Sequence, residues 1–200
     1  MKPLLPVALD LYQRPVLIVG GGAVAARKTA AMLECGAKIT VVSPGLVADF
    51  PEPVERRVRT FRPGDCIGFD LVVAATDDPA VNALVRSEAR SMRILVNDAG
   101  GPENSDIHTA SVVRRGDIAI GVTTGGTSPV LARHLRERIE AAIGPEYTLL
   151  TEMVEPDELT SRRRGDFWNL ILASDILDLL RAGDTDTAKQ RVQELQATFK

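Results

Sequence analysis

A run of three glycines follows an uninterrupted apolar segment near the start of the chain. Residues 15–19 read Pro-Val-Leu-Ile-Val, which is typical of a buried strand, and residues 20–25 read Gly-Gly-Gly-Ala-Val-Ala. This is the pattern G-x-G-x-x-A, in which the first glycine permits a tight turn and the second lets backbone approach a pyrophosphate. The pattern predicts a dinucleotide site at a helix start, the alternative being a glycine turn that binds nothing. The candidate ligands are Gly20, Gly22, Ala23 and Val24.

The segment about twenty positions further on is expected to recognise the ribose. An Asp or Glu often holds the 2′-hydroxyl there, but this chain reads Val-Ser-Pro-Gly over residues 42–45. Backbone groups and the Ser43 hydroxyl are therefore expected to contact the ribose. No Arg follows directly to hold a 2′-phosphate, so the sequence favours NAD over NADP. The remaining cofactor candidates are Ser43, Pro44, Gly45 and Thr76.

The elements around these residues predict an α/β fold, a Rossmann-like doubly wound parallel sheet. A helix from Ala23 to Cys35 and a strand from Ala37 to Val42 complete a βαβ unit, with Gly36 ending the helix. Strands are also predicted at 54–61, 69–75 and 93–97, and a helix ending near Ser91. We place this NAD-binding domain at residues 1–112.

The rest of the chain changes in character. Residues 111–114 and 118–123 predict two strands, and Ser128-Pro129 predicts the capped start of a helix that runs to about Ile143. This strand-helix region, residues 113–146, is too small to bury its own faces, so we expect it to form a homodimer. Residues 147–200 predict a helical C-terminal domain. Its helices are predicted at 147–154, 167–181 and 186–199, the second capped by Asp166.

Composition restricts the class of protein. The 200 residues carry 24 Lys+Arg and 27 Asp+Glu, a net charge of -3, which gives no basic field for nucleic acid. No stretch reaches the roughly 18 apolar residues of a membrane span. Cys35 and Cys66 do not form a C-x-x-C pair and suit a reducing, cytoplasmic location. Neither is expected to act as a nucleophile or to bind a metal.

Four stretches carry a resemblance to a known family: LIVGGGAVAARK at 17–28, AATDD at 74–78, LVN at 95–97 and TGGTSPVLAR at 124–133. Together they resemble precorrin-2 dehydrogenase, the dehydrogenase and ferrochelatase module of sirohaem synthase. The similarity runs from about residue 4 to 143, and residues 162–168 are similar to the family's helical tail. The resemblance implies NAD-dependent oxidation of precorrin-2 to sirohydrochlorin, sometimes followed by iron or cobalt insertion.

The glycine-rich loop before the predicted helix suits such a substrate. Residues 123–128 combine backbone amides, hydroxyls and a helix start into an anion-binding surface, and precorrin-2 is a polycarboxylate. Arg133 and Arg136 could add charge-assisted bonds, or could equally form a solvated helix face or dimer contacts. The substrate-binding candidates are Thr124, Gly125, Gly126, Thr127, Ser128 and Arg133.

The family's acid raises a question about the chemistry. The resemblance implies an aspartate in the pattern Val-Asn-x-x-Asp, and alignment on residues 95–97 puts Gly100 at that position. Either Asp98 serves after a rearrangement of the loop, or the acid is absent. Oxidation must release one proton, which water or substrate could accept, whereas metal insertion must remove two. We therefore expect dehydrogenation with weak or absent chelatase activity.

His108 is the second catalytic candidate, although a lone histidine is more often structural. Two other functions stay open: a bifunctional dehydrogenase and ferrochelatase, against which Gly100 argues, and a non-catalytic NAD-sensing module. The loop at 124–128 argues against the sensor, because a sensor needs no second ligand surface.

Overall fold

The structure, a computed structural model, describes residues 3–154 and 161–199. The chain divides into two units. The first comprises Met1–Thr109 and Gly125–Thr127, and the second comprises Ala110–Thr124 and Ser128–Lys200. The glycine-rich turn at residues 20–22 therefore lies in the first unit.

The first unit is a parallel sheet with helices. Its strands are β1 (Pro15–Val19), β2 (Lys38–Val42), β3 (Glu55–Arg57), β4 (Leu71–Ala74) and β5 (Leu95–Asp98). Its helices are α1 (Ala23–Leu33) and α2 (Pro79–Ser91). The strand order is β3-β2-β1-β4-β5 and all neighbouring strands are parallel, which confirms the predicted Rossmann-like fold.

Both faces of the sheet are covered, which explains why its strands are continuously apolar. Ile18 packs with Ala25 and Met32 of α1 on one face. Val19, the next residue of β1, packs with Val85 and Ala89 of α2 on the other. Because successive side chains of a strand point to opposite faces, each strand contributes to both cores.

The buried face of α1 is formed by residues three and four positions apart. Ala25, Thr29 and Met32 are buried, whereas Val24 is 41% exposed. Ala25, the small residue that ends the glycine-rich pattern, lets the start of α1 pack closely on β1. Leu33 is partly buried against the same core.

The third strand is shorter than the predicted segment 54–61, and the residues that follow it form a loop closed by an ion pair. The Arg59 guanidinium donates two hydrogen bonds of 2.6 Å to the Asp65 carboxylate, and the Arg62 amide donates to the same group. The hydrogen bond from Arg59 holds the pKa of Asp65 below its usual range. Residues 59–65 therefore close a loop instead of extending β3.

The second unit begins with an antiparallel pair, β6 (Ser111–Arg115) and β7 (Ile118–Val122), followed by α3 (Pro129–Ala142). Four helices follow: α4 (Glu146–Met153), α5 (Ser161–Ala173), α6 (Ile176–Arg181) and α7 (Thr185–Phe199). Phe167 and Ile171 of α5 are fully buried against α4, α6 and α7. Within the described residues, none of the helices has both the length and the apolar character of a membrane crossing.

The helix predicted over 167–181 is two helices in the structure. The Ser174 hydroxyl donates to the Ile171 carbonyl and accepts from the Ile176 amide, which satisfies backbone groups outside a helix and separates α5 from α6. The prediction of Asp166 as an N-cap is wrong, because α5 begins at Ser161 and Asp166 lies inside it.

One buried hydroxyl in the first unit gives a stability prediction. Thr29 Oγ1 is buried without a hydrogen-bond partner in the part of the chain that the structure describes. Thr29→Val keeps the shape and removes the unpaired group, so we expect the free energy of unfolding to rise by about 1 kcal/mol. Urea unfolding measures this change, and Thr29→Ala, which leaves a cavity, is expected to lower the midpoint. A lower midpoint for Thr29→Val would show that the hydroxyl is stabilising.

Candidate active site

The glycine-rich turn begins where three strand ends meet. The Gly20 amide donates to the Val42 carbonyl at the end of β2 (3.0 Å). A Cβ at Gly20 would lie 2.2 Å from the Ala75 carbonyl oxygen, just after β4, and the residue has φ +126°. Only glycine fits this position, so the predicted tight turn is present.

Gly21 has the least space of the three glycines, although the motif leaves its position unspecified. A Cβ there would lie 1.9 Å from the Gly45 carbonyl oxygen and 2.7 Å from Ser43 Oγ. The Val47 amide also donates to the Gly21 carbonyl (2.9 Å). The turn after β2 thus packs directly on the glycine-rich turn. A glycine at the unspecified middle position of the pattern was the sequence signal for this contact.

Gly22 is the N-cap of α1 and is open on its outer side. Within residues 3–154 and 161–199, a Cβ at Gly22 would meet nothing within 4 Å, and Gly22 provides no side-chain cap for the helix. Ala23 and Val24 are exposed beside it. The first amides of a helix lack intrahelical partners and attract anions, so this uncapped start is a suitable place for a phosphate group.

The turn after β2 presents backbone rather than a hydroxyl. Ser43 is buried and its Oγ donates to the Gly45 carbonyl oxygen (2.6 Å), whereas Pro44 and Gly45 are exposed. The hydroxyl expected to contact a ribose is therefore engaged within the turn. Backbone groups of the exposed residues are left for that contact.

Asn82 of α2 fixes the position of Thr76 and was missed from the sequence. Its Oδ1 accepts from the Thr76 hydroxyl (2.8 Å) and amide (3.1 Å), and its Nδ2 donates to the Thr76 carbonyl (3.0 Å). Asp78 caps α2 by accepting from the Ala80 amide (2.8 Å). A polar residue on the buried face of an amphipathic helix was the available signal.

Asp98, the first catalytic candidate, ends β5 and is held by groups on both sides of it. Its side chain is 2% exposed, forms an ion pair with Arg86 of α2, and accepts from the Gly100 amide (2.7 Å). A Cβ at Gly100 would lie 3.1 Å from Asp98 Oδ1. The carboxylate therefore holds the loop after β5, and Gly100 adds no second acid there.

The chain then runs back along β5 through residues 105–109. The Asp106 amide donates to the Val96 carbonyl (2.8 Å), and Asn97 Nδ2 donates to the Ile107 carbonyl (2.6 Å). Lys28 Nζ of α1 donates to Thr109 Oγ1 (3.2 Å). His108 is half-buried in this fixed segment. Asn97 and Lys28 were not predicted as site residues.

The loop at residues 124–128 is organised by its own hydroxyls. Thr124 Oγ1 donates to the Ser128 carbonyl and accepts from the Ser128 amide, both at 3.1 Å. Ser128 Oγ accepts from the Leu131 amide, so its predicted N-cap role is confirmed. Gly125 and Gly126 have positive φ values of 61° and 88°. Arg133 is exposed on α3.

Arg136 differs from Arg133. Its guanidinium forms ion pairs with Glu140 and with Glu137 (3.2 Å) on the same helix. The charge of Arg136 is therefore paired along the surface of its own helix.

The buried thiol of Cys66 is inert. Burial, together with the Glu88 carboxylate that accepts from the Gly64 and Cys66 amides, raises the pKa of Cys66 to about 12. The thiol therefore stays protonated at neutral pH. Among residues 3–154 and 161–199, no group of three or more His, Cys, Asp or Glu side chains could hold a metal ion.

Comparisons with known proteins identify the class. Residues 7–111 match a family model described as "Putative NAD(P)-binding", and residues 115–142 match one described as "Sirohaem biosynthesis protein central". The chain therefore belongs to this NAD(P)-binding family, and its cofactor class is a nicotinamide dinucleotide. The expected resemblance to the dehydrogenase modules of sirohaem synthesis is confirmed.

Individual relatives narrow the assignment. The chain is 36% identical to the siroheme synthase of Methylobacillus flagellatus and 37% identical to that of Methylococcus capsulatus, with 96% and 95% of this chain covered. It spans 44% and 43% of those two relatives. The solved structure of "SirC, precorrin-2 dehydrogenase" superposes with a TM-score of 0.76 at 26% identity, covering 96% of this chain and 100% of that one.

Two glycine substitutions separate folding from nucleotide binding. Gly21→Ala puts a methyl group against the Gly45 carbonyl, so we expect both the melting temperature and the affinity for NADH to fall. Gly22→Ala has room in the protein alone, so the melting temperature should stay within about 2 °C while NADH affinity falls at least about tenfold. Thermal unfolding and NADH fluorescence titration measure the two effects. Unchanged NADH affinity in Gly22→Ala would place the phosphates elsewhere.

The ion pair at the end of β5 gives a second prediction. Arg86→Met leaves the Asp98 carboxylate buried without its cation, so we expect a loss of about 3 kcal/mol in the free energy of unfolding. Arg90→Met is the matched control on the same helix. The Arg90–Asp106 pair (2.8 Å) is more exposed, so its loss should be below about 1 kcal/mol. Equal losses in urea unfolding would contradict a structural role for Asp98.

Proposed function

We propose that the chain is an NAD-dependent precorrin-2 dehydrogenase that converts precorrin-2 and NAD⁺ into sirohydrochlorin, NADH and a proton in sirohaem biosynthesis. The observation that carries this proposal is the uncapped, open start of α1 behind Gly22, beside the carboxyl ends of β1, β2 and β4. A dinucleotide binds at this edge in doubly wound sheets. The similarity to siroheme synthases and to a precorrin-2 dehydrogenase supports the substrate.

Different residues at this edge would bind different parts of the dinucleotide. Amides of Gly22, Ala23 and Val24 would hold the pyrophosphate, with Gly20 shaping the turn. Exposed backbone at Pro44 and Gly45 would contact the ribose, while Ser43 shapes that turn. Thr76, fixed by Asn82, lies at the end of β4 on the other side of β1. Bound NAD would supply the ring that accepts the hydride.

NAD rather than NADP is favoured by the charges near the end of β2. Arg57, whose carbonyl accepts from the Ser43 amide, forms an ion pair with Glu55 (3.0 Å). Arg56 forms an ion pair with Glu52. Both cations already have carboxylate partners, which weighs against the recognition of a 2′-phosphate.

The acid and base chemistry points to oxidation without efficient metal insertion. Asp98 is held by Arg86, and Gly100 has no side chain to replace it. His108, water or the substrate would accept the single proton released by oxidation. Removal of two pyrrole protons during metal insertion has more need of an available carboxylate, so chelatase activity would be weak or absent.

The loop before α3, together with α3 itself, would supply substrate contacts and a dimer interface. We propose that the loop Thr124–Ser128 and the exposed Arg133 bind carboxylates of precorrin-2. On α3, Val130, Leu131 and Leu135 are 79%, 48% and 40% exposed, and covering them in a homodimer would bury apolar surface.

The proposed domains are residues 1–112, 113–146 and 147–200. A cytoplasmic location suits the unpaired thiol of Cys66.

An anaerobic assay tests the function. With precorrin-2 and NAD⁺, we expect sirohydrochlorin and NADH to appear in equal amounts, measured by their absorbance. Gly22→Ala is the control, and its rate should fall because the phosphates lose their site. Absence of NAD⁺-dependent turnover would contradict the dehydrogenase. Rapid enzyme-dependent metallation of sirohydrochlorin by Co²⁺ or Fe²⁺ would instead favour the bifunctional alternative.

A further inference from the structure

Lys28 of α1 is a partly buried cation without a carboxylate partner in the part of the chain that the structure describes. Its ammonium donates to Thr109 Oγ1 at 3.2 Å. An ammonium carries three N–H donors, and one hydroxyl oxygen satisfies a single donor. One hydrogen bond to Thr109 therefore offsets only part of the free energy of desolvating the Lys28 ammonium.

Within the described residues, three other partly buried cations are each paired with a carboxylate, unlike Lys28. Arg59 has Asp65 (2.6 Å), Arg86 has Asp98 and Arg115 has Glu140 (3.7 Å). Such carboxylates offset the free energy of desolvating the charge. Burial and the charge of Arg27 lower the pKa of Lys28, which is the result expected for a cation without such a partner.

Lys28 lies on α1 at a position from which its side chain can extend toward the edge of the sheet where ligands bind. It lies six residues after Gly22, about 9 Å along the axis of α1. Helical side chains tilt toward the helix N-terminus, which for α1 is the edge where β1 ends. The side chain therefore extends from the body of α1 toward the edge at which ligands bind.

Thr109 places the ammonium on the β5 side of the unit. It ends the segment 105–109, which is fixed to β5 by the Asp106 amide and by Asn97 Nδ2. The proposed ribose contacts at residues 44–45 follow β2, which lies on the opposite side of β1. Thr109 is exposed, so a ligand can reach its hydroxyl.

We infer that Lys28 binds a carboxylate of the tetrapyrrole substrate, with Thr109 Oγ1 holding the ammonium in place. This inference rests on the proposed function, because it takes the polycarboxylate as the ligand. Phosphates of the cofactor are the alternative anion, but Thr109 holds the ammonium on the β5 side of the unit, whereas the residues that follow β2 lie on the opposite side of β1. A carboxylate can accept two of the N–H groups that Thr109 leaves, which completes the compensation of the charge.

Equilibrium binding of two probes tests the inference. Sirohydrochlorin reports the tetrapyrrole site and NADH the cofactor site, both by fluorescence titration. Lys28→Met should weaken sirohydrochlorin roughly 10- to 100-fold, the loss expected for a charge-assisted hydrogen bond, and leave NADH within about twofold. Lys28→Arg should restore most of the affinity. Lys38→Met is the matched control, because Lys38 is exposed at the start of β2, the opposite edge of the sheet.

Thr109→Val gives a second variant that keeps the cation and removes its anchor. We expect a loss of sirohydrochlorin affinity of a few-fold, and this variant decides the matter if Lys28→Met does not fold. Wild-type sirohydrochlorin affinity in both variants would overturn the inference alone. Equal losses for NADH and sirohydrochlorin in Lys28→Met and Lys28→Arg would overturn it as well, since they indicate a structural role. A wild-type protein that binds NADH but no sirohydrochlorin would overturn the inference and the proposed function together.

Discussion

The contact between two backbone turns at Gly21 and Gly45 is the constraint on which the cofactor edge depends. The Gly45 carbonyl oxygen lies where a side chain of residue 21 would begin, 1.9 Å from its Cβ position. With the amide of Gly20 on the end of β2, this contact fixes the turn after β2 against the turn after β1. α1 then starts at Gly22 with its first amides uncapped. Packing between the two turns therefore leaves the first amides of α1 open, as the proposed phosphate site requires.

The other half of the edge is built from side chains rather than glycines. Asn82 fixes Thr76 after β4, and Arg86 fixes Asp98 at the end of β5. Both residues come from α2, so one helix positions two strand ends. This arrangement uses the carboxylate of Asp98 for structure. It suits a reaction in which the cofactor takes the electrons and a single proton must leave.

Apolar runs, glycines and helix-capping residues predicted several elements of the fold from the sequence. β1 and the glycine-rich turn follow from an apolar run and its glycines, and Ser128-Pro129 from capping chemistry. The end of β3 and the break at Ser174 were missed, because each depends on side-chain hydrogen bonds and not on an apolar run, a glycine or a helix cap. The first depends on the pairing of Arg59 with Asp65, and the second on hydrogen bonds of one hydroxyl. Lys28 was missed because its surroundings come from a segment about eighty residues away in the sequence.

A structure of the chain with NAD bound is the sharpest test of the proposed site, because it locates the phosphates without assuming a substrate. We expect the pyrophosphate within hydrogen-bond distance of the amides at Gly22, Ala23 and Val24, with the turn at Gly21 and Gly45 unchanged. A pyrophosphate bound away from the start of α1, or a turn that must open to admit it, would contradict the proposed phosphate site at Gly22.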